Sequence, residues 1–226
     1  MDKGFDKEEK RWSLAQLKEN AFWKREGVLQ PQMDRVVSRY KPVIERVSLN
    51  IRSNAVILDV GCGPTCAAQL FNSGLKIFLD PLMNSYQKTY SGILPGGEKI
   101  SSTAEKIPLK DNIADIVLCV NALDHMIDPG RALGEMCRVL KQDGILLLGL
   151  FIHPPPIASV RRLIERYLPF FREDAHPYSY TKKGIRRLLK KHFSIQDEIL
   201  VYRKETARIP SIHREDWIFI CDKGKV

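Results

Sequence analysis

The run Ile57-Leu58-Asp59-Val60-Gly61-Cys62-Gly63-Pro64-Thr65 places a carboxylate and two glycines at the end of an apolar stretch. Glycines after a buried strand let the backbone approach a ligand closely, and α/β sheets bind ligands at the carboxyl ends of their strands. Asp80 closes a second apolar stretch 21 residues after Asp59, where an acid can accept hydrogen bonds from two ribose hydroxyls. Asn121, Asp124 and His125 follow a further apolar run, and His153 follows another. His176 and Tyr178 stand in His176-Pro177-Tyr178-Ser179-Tyr180-Thr181. Imidazole titrates near neutrality, so His125, His153 and His176 are the candidate general bases.

Two cofactor classes compete for the glycine turn. A dinucleotide site prefers G-x-G-x-x-G, and counted from Gly61 the last glycine is replaced by Cys66. Asp59 would also add negative charge beside a diphosphate, whereas it favours a ligand carrying an ammonium or a sulfonium. S-adenosylmethionine carries both and no phosphate. Cys62 and Cys66 lack the second ligand pair that a zinc site needs, so they are expected to be small residues of the turn.

Short apolar runs must position these residues: Ala55–Val60, Lys76–Asp80, Asp115–Val120 and Gly144–Leu150. Runs without alternation suggest strands buried on both faces, as in a parallel sheet, and strands alternating with helices suggest a doubly wound α/β fold. The glycine turn is expected to lead into a helix, and Arg131–Leu140 is the clearest helix between strands. The first fifty residues show helical spacing twice, through Trp12, Leu17 and Phe22 and again through Met33, Val36, Tyr40 and Val47, with Pro42 expected to kink or divide the second pattern. Ile157–Phe171 reads as a basic amphipathic helix after three prolines, Thr181 as the cap of another, and Phe193–Tyr202 and Trp217–Cys221 as two antiparallel strands.

Composition excludes several classes. Of 226 residues, 44% are hydrophobic and 28% charged, which suits a globular chain and not a disordered one. The longest apolar run, Ile145–Ile152, is far short of the roughly 20 residues of a membrane helix. The charged N-terminus does not resemble a secretory signal, and five irregularly spaced cysteines suit a reduced, cytoplasmic protein. The net charge of +9 is uneven: residues 1–50 carry +3, 51–150 carry −1 and 151–226 carry +7. A basic third of this kind is either a solvated helix surface or an anion-attracting face.

The ordered set Asp59/Gly61/Gly63, Asp80, Ala104-Glu105 and Leu123/His125 resembles the class I S-adenosylmethionine-dependent methyltransferases, in particular the small-molecule branch related to the ubiquinone/menaquinone enzymes, over roughly residues 50–152. The resemblance implies a Rossmann-like, mostly parallel seven-stranded sheet with an antiparallel last strand, N-terminal helices and a helical lid insertion. It implies that Asp59, Gly61 and Gly63 surround the methionine part of the cofactor and that Asp80 binds the ribose. Pro81 and Leu82 would lie beside the adenine, Ala104 and Glu105 would flank it, and Asn121 would meet the methionine end. Thr65 and Thr103 depart from the family's usual glycine and aspartate. Residues 1–50, with Trp12, Phe22 and Trp23, are expected to form part of a lid over a methyltransferase domain spanning 51–226, and residues 153–192 an acceptor-side lid insertion. The implied reaction is direct SN2 methyl transfer to a small molecule or a saccharide. The alternatives are an RNA methyltransferase, prompted by the basic last third, and a protein that binds the cofactor without turnover.

Overall fold

The computed structural model describes residues 3–49, 51–154, 178–204 and 214–224, with side chains described from Lys10 onward. The expected helix at 157–171 and the candidate base His176 lie outside these residues. Two helices, α1 (Lys3–Trp23) and α2 (Leu29–Ser48), precede β1 (Val56–Val60), β2 (Leu75–Leu79), α3 (Met83–Thr89), β3 (Glu98–Ile100) and β4 (Ala114–Val120). Then follow α4 (Pro129–Val139), β5 (Leu140–Ile152), α5 (Lys182–Leu189), β6 (Phe193–Lys204) and β7 (Arg214–Lys223).

The strands form one seven-stranded sheet in the order β3-β2-β1-β4-β5-β7-β6. Pairing is parallel from β3 through β5, and β7 runs antiparallel to both β5 and β6. This is the Rossmann-like sheet with an antiparallel last strand that the resemblance implies. The sheet is buried on both sides, which accounts for the unbroken apolar runs of β1, β4 and β5. One face packs against Leu133, Met136 and Ile185 of α4 and α5, the other against Tyr40, Val43 and Ile44 of α2. Asp128 caps α4 by accepting from the Arg131 N–H, with Pro129 at its first turn, and Thr181 caps α5 through the Gly184 N–H.

Two local expectations are corrected. α2 runs unbroken through Pro42. Pro42 and Ser38, whose carbonyl loses its intrahelical donor, are both exposed, so water replaces that bond while Tyr40, Val43 and Ile44 hold the opposite face to the sheet. The glycine turn leads only into a 3-10 turn, Ala67–Leu70, because Cys66 takes a left-handed φ of 48° and the chain must return to β2 by Leu75. The sheet there is covered by α2 instead of a crossover helix. The basic excess of the last third is partly spent within the fold, since Lys182 and Arg186 of α5 both pair with Glu198 of β6.

Candidate functional site

The glycine loop is held by both predicted aspartates. The N–H groups of Gly61 and Cys62 donate to the Leu79 carbonyl at 2.7 and 3.2 Å, which ties the loop to the end of β2. Asp80 Oδ2 accepts from the Gly63 N–H at 3.0 Å and its Oδ1 from the Leu82 N–H at 2.8 Å. Asp59 Oδ2 accepts from the Ala68 N–H at 2.8 Å, which fixes the far end of the loop. Gly61 has φ +66°, and a Cβ there would stand 2.5 Å from the Ala122 Cβ, so the loop needs glycine both for its conformation and for its closeness to the segment after β4. Burial pushes Asp59 up to about 7, against the pull of the Ala68 N–H, and pushes Asp80 up to about 6, against the Leu82 and Gly63 N–H groups.

A cleft of about 600 Å³ opens at the carboxyl edge of the sheet. Gly61, Gly63, Asp80, Pro81, Ala104, Glu105 and Asn121 line it, so seven of the eight predicted cofactor residues share one cavity. Asp59 is fully buried and is not among the lining residues; its carboxylate acts from behind the loop. The Glu105 carboxylate accepts from the Ile127 and Asp128 N–H groups, so it holds the loop after β4 while its residue forms part of the wall. α1 closes one side: Trp12, Phe22 and Trp23 line the cleft, the Trp23 ring lies 3.8 Å from where a Gly63 Cβ would be, and Asn20 accepts from the Ser85 hydroxyl at 2.7 Å.

The residues fit S-adenosylmethionine. Among the described residues, Asp59 Oδ1 and Asn121 Oδ1 are buried acceptors without a partner. Buried acceptors left open are costly unless donors arrive, and an ammonium and ribose hydroxyls are donors of that kind. Asp80 keeps lone pairs beyond the two that its backbone partners use.

Of the candidate bases, His125 lines the cleft, with its Nε2 3.9 Å from the Asp124 carboxylate. His153 donates its backbone N–H to the Tyr180 carbonyl at 2.8 Å and is not among the lining residues. Tyr178 donates its hydroxyl to the Ile127 carbonyl at 2.7 Å, which docks the end of the expected lid onto the loop after β4.

A second polar group of the cleft went unread in the sequence. Asn121, at φ +51°, sits where β4 ends. The Tyr40 hydroxyl lies 2.7 Å from both oxygens of Asp216, a carboxylate with 0% exposure, and Arg39 Nη1 reaches the same group at 3.1 Å. A hydroxyl has one proton, which here goes to Asp216, so the Asn121 side chain interacts with Tyr40 by donating its amide N–H. That fixes the amide orientation and leaves Asn121 Oδ1 as the open acceptor. Burial raises Asp216, and the Tyr40 hydroxyl and Arg39 oppose the rise. Tyr40 packs over Gly149 of β5, where a Cβ would meet its ring at 2.8 Å. The available signal was a carboxylate on the apolar face of β7, in register with Ile218 and Ile220.

Residues 58–148 match the family described as "Methyltransferase domain". The chain is 28% identical over 155 residues to the ubiquinone/menaquinone biosynthesis C-methyltransferase UbiE of Francisella philomiragia, covering 61% of this chain and 62% of that protein. It is 37% identical over 111 residues to an uncharacterized methyltransferase of Mycobacterium bovis, covering 48% of this chain and 45% of that protein. The chain thus spans less than two thirds of the length of either relative. Among solved structures it shares its fold with a putative methyltransferase from Bacillus halodurans, at TM-score 0.64 and 16% identity over 82% of this chain and 99% of that one. It also shares it with the putative methyltransferase solved with a Haloferax volcanii methyltransferase activator, at TM-score 0.69 and 14% identity over 92% and 98%. Residues 58–148, set in this sheet and carrying this loop, are thus similar to a methyltransferase domain, in line with the resemblance to the class I S-adenosylmethionine-dependent methyltransferases.

Proposed function

We propose that the protein transfers a methyl group from S-adenosylmethionine to a small-molecule or saccharide acceptor by direct in-line displacement. The observation that carries this reading is the pair of aspartates that staple the glycine loop beside a cleft whose open acceptor, Asn121 Oδ1, stands at the end of β4. When bound, the cofactor supplies a methyl group made electrophilic by its sulfonium. Asp80 holds the ribose, and Asp59 sets the charge behind the loop against which the ammonium lies. Pro81, Thr103 and Ala104 form the adenine wall. Asn121 Oδ1, at the end of β4, is the acceptor open to the methionine end of the cofactor. Tyr40 and Asp216 hold Asn121 in place. His125 is the group of the cleft suited to take the proton of a hydroxyl acceptor. Most of the rate then comes from positioning and from excluding water under α1.

The names of the UbiE relatives support a small-molecule acceptor over RNA. No helix of the described residues is long and apolar enough to cross a membrane. All five cysteines are free and buried, which supports a reducing compartment, and we place the protein in the cytoplasm.

Calorimetry tests the cofactor reading. S-adenosylhomocysteine is expected to bind and NAD is not, and Asp80→Ala is expected to weaken binding by about 1.5–3 kcal/mol, the scale for hydrogen bonds to a charged group. NAD binding without a response to S-adenosylhomocysteine would sink the reading. Tyr40→Phe tests the second polar group. It removes the hydroxyl's hydrogen bonds to the buried Asp216 and leaves that of Arg39, so urea denaturation is expected to show a loss of about 1–3 kcal/mol. An unchanged stability would remove the Tyr40–Asp216 bond from the account.

A further inference from the structure

We propose that Glu19 of α1 and Tyr86 of α3 join Asp80 in a clamp on the ribose diol of the cofactor. This rests on the methyltransferase reading and deepens it: the helix beside the cleft supplies a second carboxylate to the nucleoside.

Three elements meet at this corner. Asp80 follows β2 directly, and α3 begins three residues later, with Tyr86 in its first turn. α1 is fastened to α3 by the Ser85 hydroxyl, which donates to Asn20, and by the Tyr90 hydroxyl, which donates to the Trp23 carbonyl. The Trp23 and Tyr86 rings also meet edge to face, with centroids 6.5 Å apart. Glu19 stands one turn before Trp23, so the two share a helix face. Glu19 Oε1 accepts from the Trp23 indole N–H at 2.6 Å, which orients the carboxylate. The Trp23 ring in turn lies beside Gly63, whose N–H donates to Asp80. Glu19, Trp23, Asp80 and Tyr86 all line the cleft.

Each member of the clamp has an atom left over. Trp23 occupies Glu19 Oε1, and no described residue donates to Oε2. Tyr86 is 2% exposed, and its hydroxyl has no hydrogen-bond partner among the described residues. A phenol this deep normally finds a partner, so one that faces a cleft unpaired is matched to a ligand oxygen. Asp80 keeps the lone pairs that its two backbone donors do not use. Glu19 acts to raise both Asp80 and Tyr86, and Asp80 acts to raise Tyr86, so the three groups face one space. Two carboxylates and one phenol are the complement of a vicinal diol: each hydroxyl donates to one acid, and an oxygen accepts from the phenol. Two carboxylates also reject a phosphate at this place, which turns away a phosphorylated ribose. Asp59, at the methionine end, is raised by burial and by Asp80, and Glu19 is not among the charges that act on it. That sets Glu19 at the ribose and away from the ammonium.

The test compares S-adenosylhomocysteine with its 2′-deoxy and 3′-deoxy analogues by calorimetry, on the full chain and on its Glu19→Ala and Tyr86→Phe variants. Glu19→Ala is expected to weaken S-adenosylhomocysteine about tenfold, the scale for a hydrogen bond to a charged group. For one of the two analogues that penalty is expected to vanish, because the hydroxyl that Glu19 would hold is missing. Tyr86→Phe removes one oxygen and keeps the ring contact with Trp23. It is expected to weaken S-adenosylhomocysteine about threefold and to lose its effect on an analogue as well. A variant that merely loosened α1 would cost all three ligands alike. An unchanged affinity, or an equal penalty on all three ligands, in Glu19→Ala would therefore overturn the clamp. The same result in Tyr86→Phe would overturn the part given to the phenol. Both outcomes leave the methyltransferase reading standing, because the wild-type chain still binds S-adenosylhomocysteine. A wild-type chain that does not bind it would remove that reading and the clamp with it.

Discussion

Gly61→Ala is expected to abolish measurable S-adenosylhomocysteine binding and to destabilise the protein by about 2–4 kcal/mol, the range for overpacking plus a left-handed non-glycine residue. The new Cβ would stand 2.5 Å from the Ala122 Cβ, an atom fixed to the backbone that no rotamer change can move. Relief must come from the loop itself, whose Gly61 and Cys62 N–H groups donate to Leu79 and whose Gly63 N–H donates to Asp80. A shift of that loop carries the cofactor contacts with it. Ala122→Gly vacates the colliding atom, so Gly61→Ala/Ala122→Gly is expected to recover part of the stability and of the binding. The φ of +66° keeps the recovery incomplete. Thermal melting and calorimetry on the three variants check this, and a single Gly61→Ala variant with wild-type affinity would show that the loop does not form the binding wall.

The elements that carry the cofactor half were legible because they rest on local rules. Four buried apolar runs give β1, β2, β4 and β5, and the polar residues after β2 and β4, Asp80 and Asn121, line the cleft. Thr181, Asp128 and Pro129 sit where helix starts demand them. The helix expected after the glycine turn failed because no local rule counts the residues left for the return to β2. Pro42 misled because its cost depends on which face of α2 meets water, and that is a tertiary fact.

The acceptor half was less legible for a related reason. Tyr40 and Asp216 lie 176 residues apart and meet because α2 packs over Gly149 while β7 inserts between β5 and β6. A sequence read in windows sees an amphipathic helix and an apolar strand, each complete in itself. Glu105 shows the converse case. Its position beside Ala104 fits the adenine wall, but its carboxylate is spent on the Ile127 and Asp128 N–H groups. Motif spacing places a residue, and the hydrogen-bond partners decide which of its atoms are left for a ligand.

Asp59→Asn is expected to flatten the pH dependence of both stability and cofactor binding. Burial raises Asp59 to about 7, far above its ordinary 3.8, so the folded ligand-free protein holds this proton more tightly than the unfolded chain does. A raised acid contributes stability fully below its unfolded value and loses it as pH rises through the folded one. The ligand-free protein is therefore expected to lose stability between about pH 4 and pH 7, by on the order of 3–4 kcal/mol from this group. Asp80, raised to about 6, adds a second component of the same sign that ends lower and survives the substitution. The ligand reverses the balance. An ammonium against the loop favours the ionised carboxylate, so S-adenosylhomocysteine affinity is expected to climb from pH 5.5 to pH 8. An asparagine keeps an oxygen for the Ala68 N–H and carries no charge to penalise or to reward. The variant is expected to gain stability relative to wild type at pH 8 compared with pH 5, while its affinity falls at pH 8 and changes little at pH 5.5. Calorimetric titrations and urea denaturation at the two pH values read the crossing directly. A wild-type affinity that does not rise with pH would show that the Asp59 carboxylate is a support of the loop alone, without a part in holding the cofactor's cation.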